Sequence, residues 1–345
     1  MIAALVALVP VLIFLALLVL LDSFKLVRGT AVATSMAWGM GAALASLALT
    51  RALDVQMHLS LSALVRYVGP VIEESLKVVL VWLLLRARRI GFPVDAGVLG
   101  FSVGAGFALV ENVVYLRLLP DASLATWMVR GLGTAILHGG TTSIAAMLAK
   151  ALSETQPNQL LRPVALGLAA AIVLHSAYNH LLLPPVASTL LLLVSLPLLM
   201  LVVFERSEAA TRDWVGAGLD LDLELLQLIS SDAFTYTRFG TYLQELRGRF
   251  PGPVVVDMFC LLRLELELSV QAKTLLIARK AGLDMPVHVD IRIGMEELRH
   301  LRSSIGTTGM LALTPLHVTS HRDDWHRYLV AQTGGSAWWR RMLGR

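Results

Sequence analysis

One apolar segment interrupted by charge decides the fold, and it reads LVRYVGPVIEESLKVVLVWLLL over residues 64–85. It has the length of a membrane-spanning helix, which needs about 20 residues, yet it contains Glu73, Glu74 and Lys77. A charge at the centre of a spanning helix costs roughly 2.5 to 3.5 kcal/mol on insertion scales, so three such charges need polar neighbours. The segment therefore predicts a helix enclosed by other membrane helices.

The rest of the chain has the composition of a membrane protein. Of its 345 residues, 56% are hydrophobic and 16% are charged, against about 45 to 50% and about 25% in soluble domains. Apolar windows predict seven spans, near residues 2–21, 30–49, 64–85, 95–116, 127–149, 163–183 and 186–204. We predict an all-α, polytopic membrane helix bundle of about seven transmembrane helices, with six and eight as the alternative counts.

Basic residues in the loops predict the orientation. Seven of them fall on one side of the membrane, namely Lys25, Arg28, Arg86, Arg88, Arg89, Lys150 and Arg162. The other side has at most four, namely Arg51, Arg66, Arg117 and Arg130. By the positive-inside rule, we expect a multi-pass protein of the cell (inner) membrane with its N-terminus outside and its C-terminal part in the cytoplasm.

The last part of the chain differs in composition. Residues 205–345 carry 34 of the 54 charged residues, 17 basic and 17 acidic, among apolar residues with helical spacing. We predict a transmembrane domain over 1–204, with a motif-bearing core at 64–183, and a small helical cytoplasmic C-terminal domain over 205–345 with a ragged end at 333–345. The net charge of +4 arises from the membrane loops. We therefore expect the protein to contact a lipid bilayer and not to bind nucleic acid. The sequence does not identify a cytoplasmic partner.

The three spans after the first motif also carry polar residues. The motifs are Phe107, Glu111 and Asn112; then His138; then His175 with Asn179. At about 1.5 Å per residue along a helix, the predicted spans bring Glu73, Glu111, His138 and His175 to one level, between the midplane and the outer surface. Four helices therefore predict one polar cavity inside the bilayer.

Such a cavity has the groups needed to hydrolyse a peptide bond. A buried glutamate can accept a proton from water, and histidine or asparagine can donate to a developing oxyanion. The sequence lacks HExxH and paired intramembrane aspartates. Three alternatives stay open: a metal-dependent hydrolase that binds zinc through Glu111, His138 and His175, a proton-coupled transporter or receptor, and a structural scaffold.

The four motifs resemble the PrsW-type glutamic intramembrane proteases, a family distantly related to the CAAX prenyl endopeptidases. The family pattern is EExxK, then FxxxEN, then a histidine-bearing helix, then HxxxN. It corresponds here to Glu73, Glu74 and Lys77; to Phe107, Glu111 and Asn112; to His138; and to His175 with Asn179. Lys77 and Glu111 look like PrsW itself, because the CAAX-type relatives typically carry arginine and histidine at those places.

The resemblance implies a mechanism and a class of substrate. Glu73 would activate the attacking water with Glu74 as its partner, and His138 would handle the water or its proton. His175 and Asn179 would stabilise the oxyanion, with Glu111 also in the site and Lys77, Phe107 and Asn112 supporting it. No metal or other cofactor is implied. The expected substrate is a membrane protein such as a single-span anti-sigma factor, cleaved on its extracytoplasmic side.

Overall fold

The structure, a computed structural model, describes residues 2–22, 27–155, 159–283 and 289–316. Every regular element within these ranges is helical. Two sequence-based expectations, the loop charge of Lys25 and the ragged end at 333–345, lie outside the described residues. The chain divides into two compact units between Glu208 and Ala209.

The first unit contains the predicted membrane helices. Their bounds are α1 (Ile2–Leu21), α2 (Gly29–Met57), α3 (Leu61–Ala63), α4 (Gly69–Arg86), α5 (Pro93–Leu118), α6 (Leu124–Met128), α7 (Ala135–Thr155), α8 (Leu161–Asn179) and α9 (Pro185–Ile229), the last of which continues into the second unit. Two wide π-helical turns, Leu64–Val68 and Val129–Thr134, join α3 to α4 and α6 to α7. Continuous helical segments therefore run over 61–86 and 124–155.

Six helical segments of the described chain are long and apolar enough to cross a membrane. They are Ile2–Leu21, Gly29–Met57, Pro93–Leu118, Leu124–Glu154, Leu161–Asn179 and Pro185–Ala209. The remaining predicted span is the segment 61–86, which is helical but carries the charged motif. Within it, Glu74 and Lys77 have no exposed side-chain surface, so protein encloses these charges. The prediction of an all-α polytopic membrane bundle is confirmed.

Helix α5 lies at the centre of this unit because its glycines let other helices approach closely. A Cβ atom at Gly104 would collide with the backbone of His138 on α7, and one at Gly106 would collide with the backbone of Met36 on α2. Small residues at a helix interface permit such short separations between backbones. The glycine face of α5 thus positions the histidine-bearing helix.

Replacement of Gly104 by alanine is expected to destabilise the protein by about 1 to 3 kcal/mol, the usual cost of overpacking. The added methyl group would meet the backbone of His138, so α5 and α7 must separate. Gly41→Ala is the matched control, because nothing lies within 4 Å of a Cβ at Gly41. Thermal unfolding of the purified variants in detergent measures the effect. Equal melting temperatures for the two variants would contradict the expectation.

The second unit has its own helical core. Its elements are the end of α9, a 3₁₀ turn (Asp232–Tyr236), α10 (Arg238–Leu246), α11 (Gly252–Lys280), α12 (Val289–Leu313) and a 3₁₀ turn (Thr314–Leu316). Met258, Leu261 and Leu298 are fully buried between α11 and α12. A buried ion pair joins Lys273 Nζ to Asp222 Oδ2 at 2.6 Å. These contacts account for the compactness of this unit.

Candidate active site

A buried ion pair forms one turn into α4. Lys77 Nζ donates to Glu74 Oε1 at 2.7 Å, and neither side chain has exposed surface. The same Glu74 oxygen lies 2.7 Å from His175 Nδ1 and accepts from Thr141 Oγ1 at 3.1 Å. Glu74 therefore connects α4 to α7 and α8. Thr141 was not among the predicted site residues, although it follows His138 by three positions.

His138 lies between two charged partners. Its Nδ1 is 3.1 Å from Lys77 Nζ, and its Nε2 is 2.8 Å from Glu111 Oε2. An ammonium group can only donate, so Nδ1 accepts from Lys77 and we assign the ring proton to Nε2, which donates to Glu111. The ring of Phe107 covers this contact, at 4.7 Å from Lys77 Nζ and 4.9 Å from the His138 ring.

Glu73 occupies a different environment from Glu74. Its Oε2 lies 3.9 Å from His138 Nδ1 and 3.9 Å from His175 Nε2, too far for direct hydrogen bonds. This oxygen is buried and has no hydrogen-bond partner among the described residues, although the side chain as a whole is 19% exposed. Glu74 Oε2 is also without a partner, but Glu74 is fully enclosed. Glu73 is therefore the glutamate of the pair that opens toward both imidazoles.

The hydrogen bond of His175 leaves one nitrogen available. Because Glu74 holds Nδ1, we assign the ring proton to Nδ1, and Nε2 keeps a free lone pair facing Glu73. Separations near 4 Å between polar atoms are those that one bridging water spans. The three atoms Glu73 Oε2, His138 Nδ1 and His175 Nε2 thus surround a position suited to a water molecule.

Glu111, near the end of α5, has two polar partners inside the bundle. Its Oε2 binds His138, and its Oε1 lies 3.3 Å from Arg130 Nη2. Sequence reasoning assigned Arg130 to loop charge and so missed it. The available signal was that Arg130 falls inside the predicted span 127–149.

Two predicted residues, Asn179 and Asn112, bind backbone oxygens. Asn179 Nδ2 donates to Val65 O at 2.9 Å, and Ser176 Oγ donates to Arg66 O at 2.6 Å. Both carbonyls belong to the π-helical turn before α4, where the usual helical hydrogen bonds are disrupted. Among the described residues, no hydrogen bond of Asn179 reaches Glu73 or His175. Asn112 Nδ2 likewise donates to a backbone oxygen, that of Ala7 on α1, at 2.7 Å.

The donor set can be tested against a metal ion. Ligand atoms of Glu73, His138 and His175 all lie within 4.8 Å of one another, and two imidazoles with one carboxylate suit zinc. Each imidazole is oriented by another carboxylate, as metal-bound histidines usually are. The carboxylate of this group is Glu73, whereas the sequence-based alternative named Glu111 with the same two histidines. Lys77 opposes the fit, since it occupies the lone pair of His138 Nδ1.

A membrane helix bundle that encloses carboxylates and imidazoles around a water-sized position has the groups that an intramembrane hydrolase needs. The family model described as "PrsW family intramembrane metalloprotease" matches residues 28–204, slightly more than half of the chain. The chain therefore belongs to the PrsW family and is a multi-pass intramembrane protease. No curated protein and no solved structure matched it. Family membership favours the hydrolase over the transporter, receptor and scaffold alternatives.

Proposed function

We propose that this protein is a glutamic intramembrane endopeptidase in which Glu73 activates the attacking water. The observation that carries the proposal is Glu73 Oε2, a buried carboxylate oxygen without a partner that faces two histidine nitrogens at 3.9 Å each. A general base must lie within hydrogen-bonding reach of the water that it deprotonates. Glu73 meets this requirement for a water in the position between the three residues.

The reaction follows from these contacts. The water donates one hydrogen to Glu73 and the other to the free Nε2 of His175. As its oxygen bonds to the peptide carbonyl carbon, Glu73 takes the first proton and later delivers it to the leaving amine nitrogen when the C–N bond breaks. The Lys77 ammonium lies 3.1 Å from His138 Nδ1, and its positive charge would favour the negative charge that develops on the carbonyl oxygen.

This mechanism changes two of the roles that the resemblance implied. His175 was expected to donate to the oxyanion, but its facing nitrogen carries no proton in the assigned tautomer. Asn179 was expected to assist it, but its amide binds Val65 O. In the proposed mechanism His175 orients the water, and Asn179 holds the π-helical turn that precedes Glu73.

The proposed substrate is a single-span membrane protein such as an anti-sigma factor, cut in the outer half of the cell (inner) membrane. The predicted orientation, with the N-terminus outside, supports this depth, because in that orientation Glu73 would lie between the midplane and the outer surface. Co-expression with a panel of tagged single-span proteins tests the proposal, with each cut mapped by mass spectrometry. We expect fragments from a cut in the outer half of the substrate span. A cut near the cytoplasmic end would contradict the depth, and an uncut panel of anti-sigma factors would contradict the substrate class.

A metal-dependent hydrolase is the second candidate, because the family description names a metalloprotease and the ligand group exists. In that case Glu73, His138 and His175 would hold zinc, which lowers the pKa of a bound water and polarises a carbonyl. We expect the purified enzyme to keep its activity after chelation, because Lys77 occupies His138 Nδ1. Loss of activity on chelation, with recovery on addition of zinc, would establish the metal-dependent form.

A further inference from the structure

Arg130 makes three contacts that together fix the plane of its guanidinium group. Its Nε donates to Asn112 Oδ1 at 3.1 Å, and its Cζ lies 3.6 Å from the centre of the Tyr115 ring. Its Nη2 lies 3.3 Å from Glu111 Oε1, an ion pair in which Nη2 forms no hydrogen bond among the described residues. The side chain is only 15% exposed. An arginine held by a carboxylate, an amide and an aromatic face is far more constrained than a loop arginine.

The π-helical turn Val129–Thr134 explains how Arg130 reaches this position. Arg130 precedes His138 by eight residues, which in a regular α-helix corresponds to about 80° around the axis. A π turn accommodates one additional residue, so the separation becomes equivalent to seven α-helical positions, about 20°. Arg130 and His138 therefore share one face, and both meet Glu111 of α5.

Glu111 is the connection between Arg130 and the imidazole of His138. One carboxylate oxygen faces Arg130, and the other accepts the Nε2 proton of His138. The second shell of a functional histidine commonly fixes its tautomer and ring orientation in this way. With Nε2 held, His138 Nδ1 is the nitrogen that faces Lys77 and Glu73.

The arginine is also anchored on a helix outside the family match. Asn112 accepts from Arg130 through Oδ1 and donates through Nδ2 to Ala7 O on α1. A Cβ at Gly131 would collide with the backbone of Val6 on the same helix. Helix α1 precedes the matched residues 28–204, and it supports the turn that carries Arg130.

We propose that Arg130 is a positioning residue of this protease, which clamps Glu111 and Asn112 and thereby orients His138 toward Glu73. This inference rests on the proposed function for its kinetic consequence. Its structural consequence, the orientation of the His138 ring, can be measured without a substrate.

The kinetic test compares Arg130→Met, Arg130→Lys and a control, Arg117→Met, whose arginine is exposed at the end of α5. We expect kcat of Arg130→Met to fall about 10- to 100-fold, the usual effect of removing a second-shell partner, with KM unchanged. Arg130→Lys should recover part of the loss because it keeps the charge beside Glu111. A raised KM at unchanged kcat, or equal rates in all variants, would overturn the proposal. Melting temperatures identify any variant that fails to fold. If Arg130→Met does not fold, the comparison of Arg130→Lys with the wild type tests the proposal.

The test independent of activity uses protein labelled with ¹⁵N-histidine, with the His138 resonances assigned from their loss in His138→Gln. We expect the His138 ring signals to shift in Arg130→Met and to stay unchanged in Arg117→Met. Unchanged signals in Arg130→Met would overturn the proposal. If the signals shift but the wild type cleaves no substrate, the positioning role stands and the proposed protease mechanism fails.

Discussion

Replacement of Glu73 by glutamine is expected to abolish proteolysis while the protein stays folded. Glutamine has the same shape, and Glu73 Oε2 makes no hydrogen bond that the substitution would break. The amide cannot take a proton from water, and loss of a general base lowers the rate by about 10²- to 10⁴-fold. Cleavage of a co-expressed single-span substrate, together with the melting temperature of each purified protein, measures both parts of this result.

Two further variants make this result specific. Glu154→Gln removes a partly exposed carboxylate that pairs with Lys150, and it should cleave like the wild type. Glu74→Gln should instead lower the melting temperature, because it leaves the buried Lys77 without its anionic partner. If Glu73→Gln still cleaves, Glu73 is not the base, and a mechanism in which Glu74 is the base becomes the better explanation.

Replacement of Lys77 by methionine is expected to cost about 3 to 5 kcal/mol of stability, because removing one partner of a buried ion pair leaves the other charge uncompensated. Glu74 would keep only His175 and Thr141 on its Oε1. The variant should also lose activity, because His138 Nδ1 loses the donor that fixes its tautomer. Equilibrium unfolding of the purified protein measures the stability.

A double variant distinguishes two causes of the stability loss, the uncompensated buried charge and the loss of packing. The double variant Glu74→Gln/Lys77→Met removes both charges and should recover much of the stability, since buried ion pairs often contribute little net stabilisation. Arg263→Met removes one partner of an exposed i, i+4 pair with Glu267 and should cost no more than about 0.5 kcal/mol. A Lys77→Met protein that unfolds like the wild type would show that the pair is not buried as described.

The sequence predicted the membrane helices well, because a long apolar run leaves only a spanning helix to satisfy its backbone in lipid. The segment 61–86 is the informative exception. Glu73, Glu74 and Lys77 interrupt the apolar run and lower its hydropathy, which weakens the prediction of a membrane span. The same charges are the reason that the segment must be enclosed by protein. The order of the motifs along the chain was sufficient to predict one shared polar cluster.

The sequence could not predict the contacts within that cluster with the same success. Asn179 has the spacing of a partner for His175, but it binds Val65 O because a π-helical turn exposes that carbonyl. Arg130 was counted with the loop charges although it falls inside the predicted span 127–149, and another π-helical turn rotates it toward Glu111. No residue type predicts a π turn, so the sequence pattern alone did not predict either contact.

What the sequence determined by itself is the set of helices and the level of the polar groups, because hydrophobic length and helical rise are local properties. Only the tertiary structure showed which of Glu73 and Glu74 is enclosed with Lys77 and which faces the space between the imidazoles. Neighbouring helical positions point about 100° apart, so packing against α7 and α8 sets their directions. In the structure Glu74 is fully buried with Lys77 and His175, and Glu73 is left facing the two imidazoles.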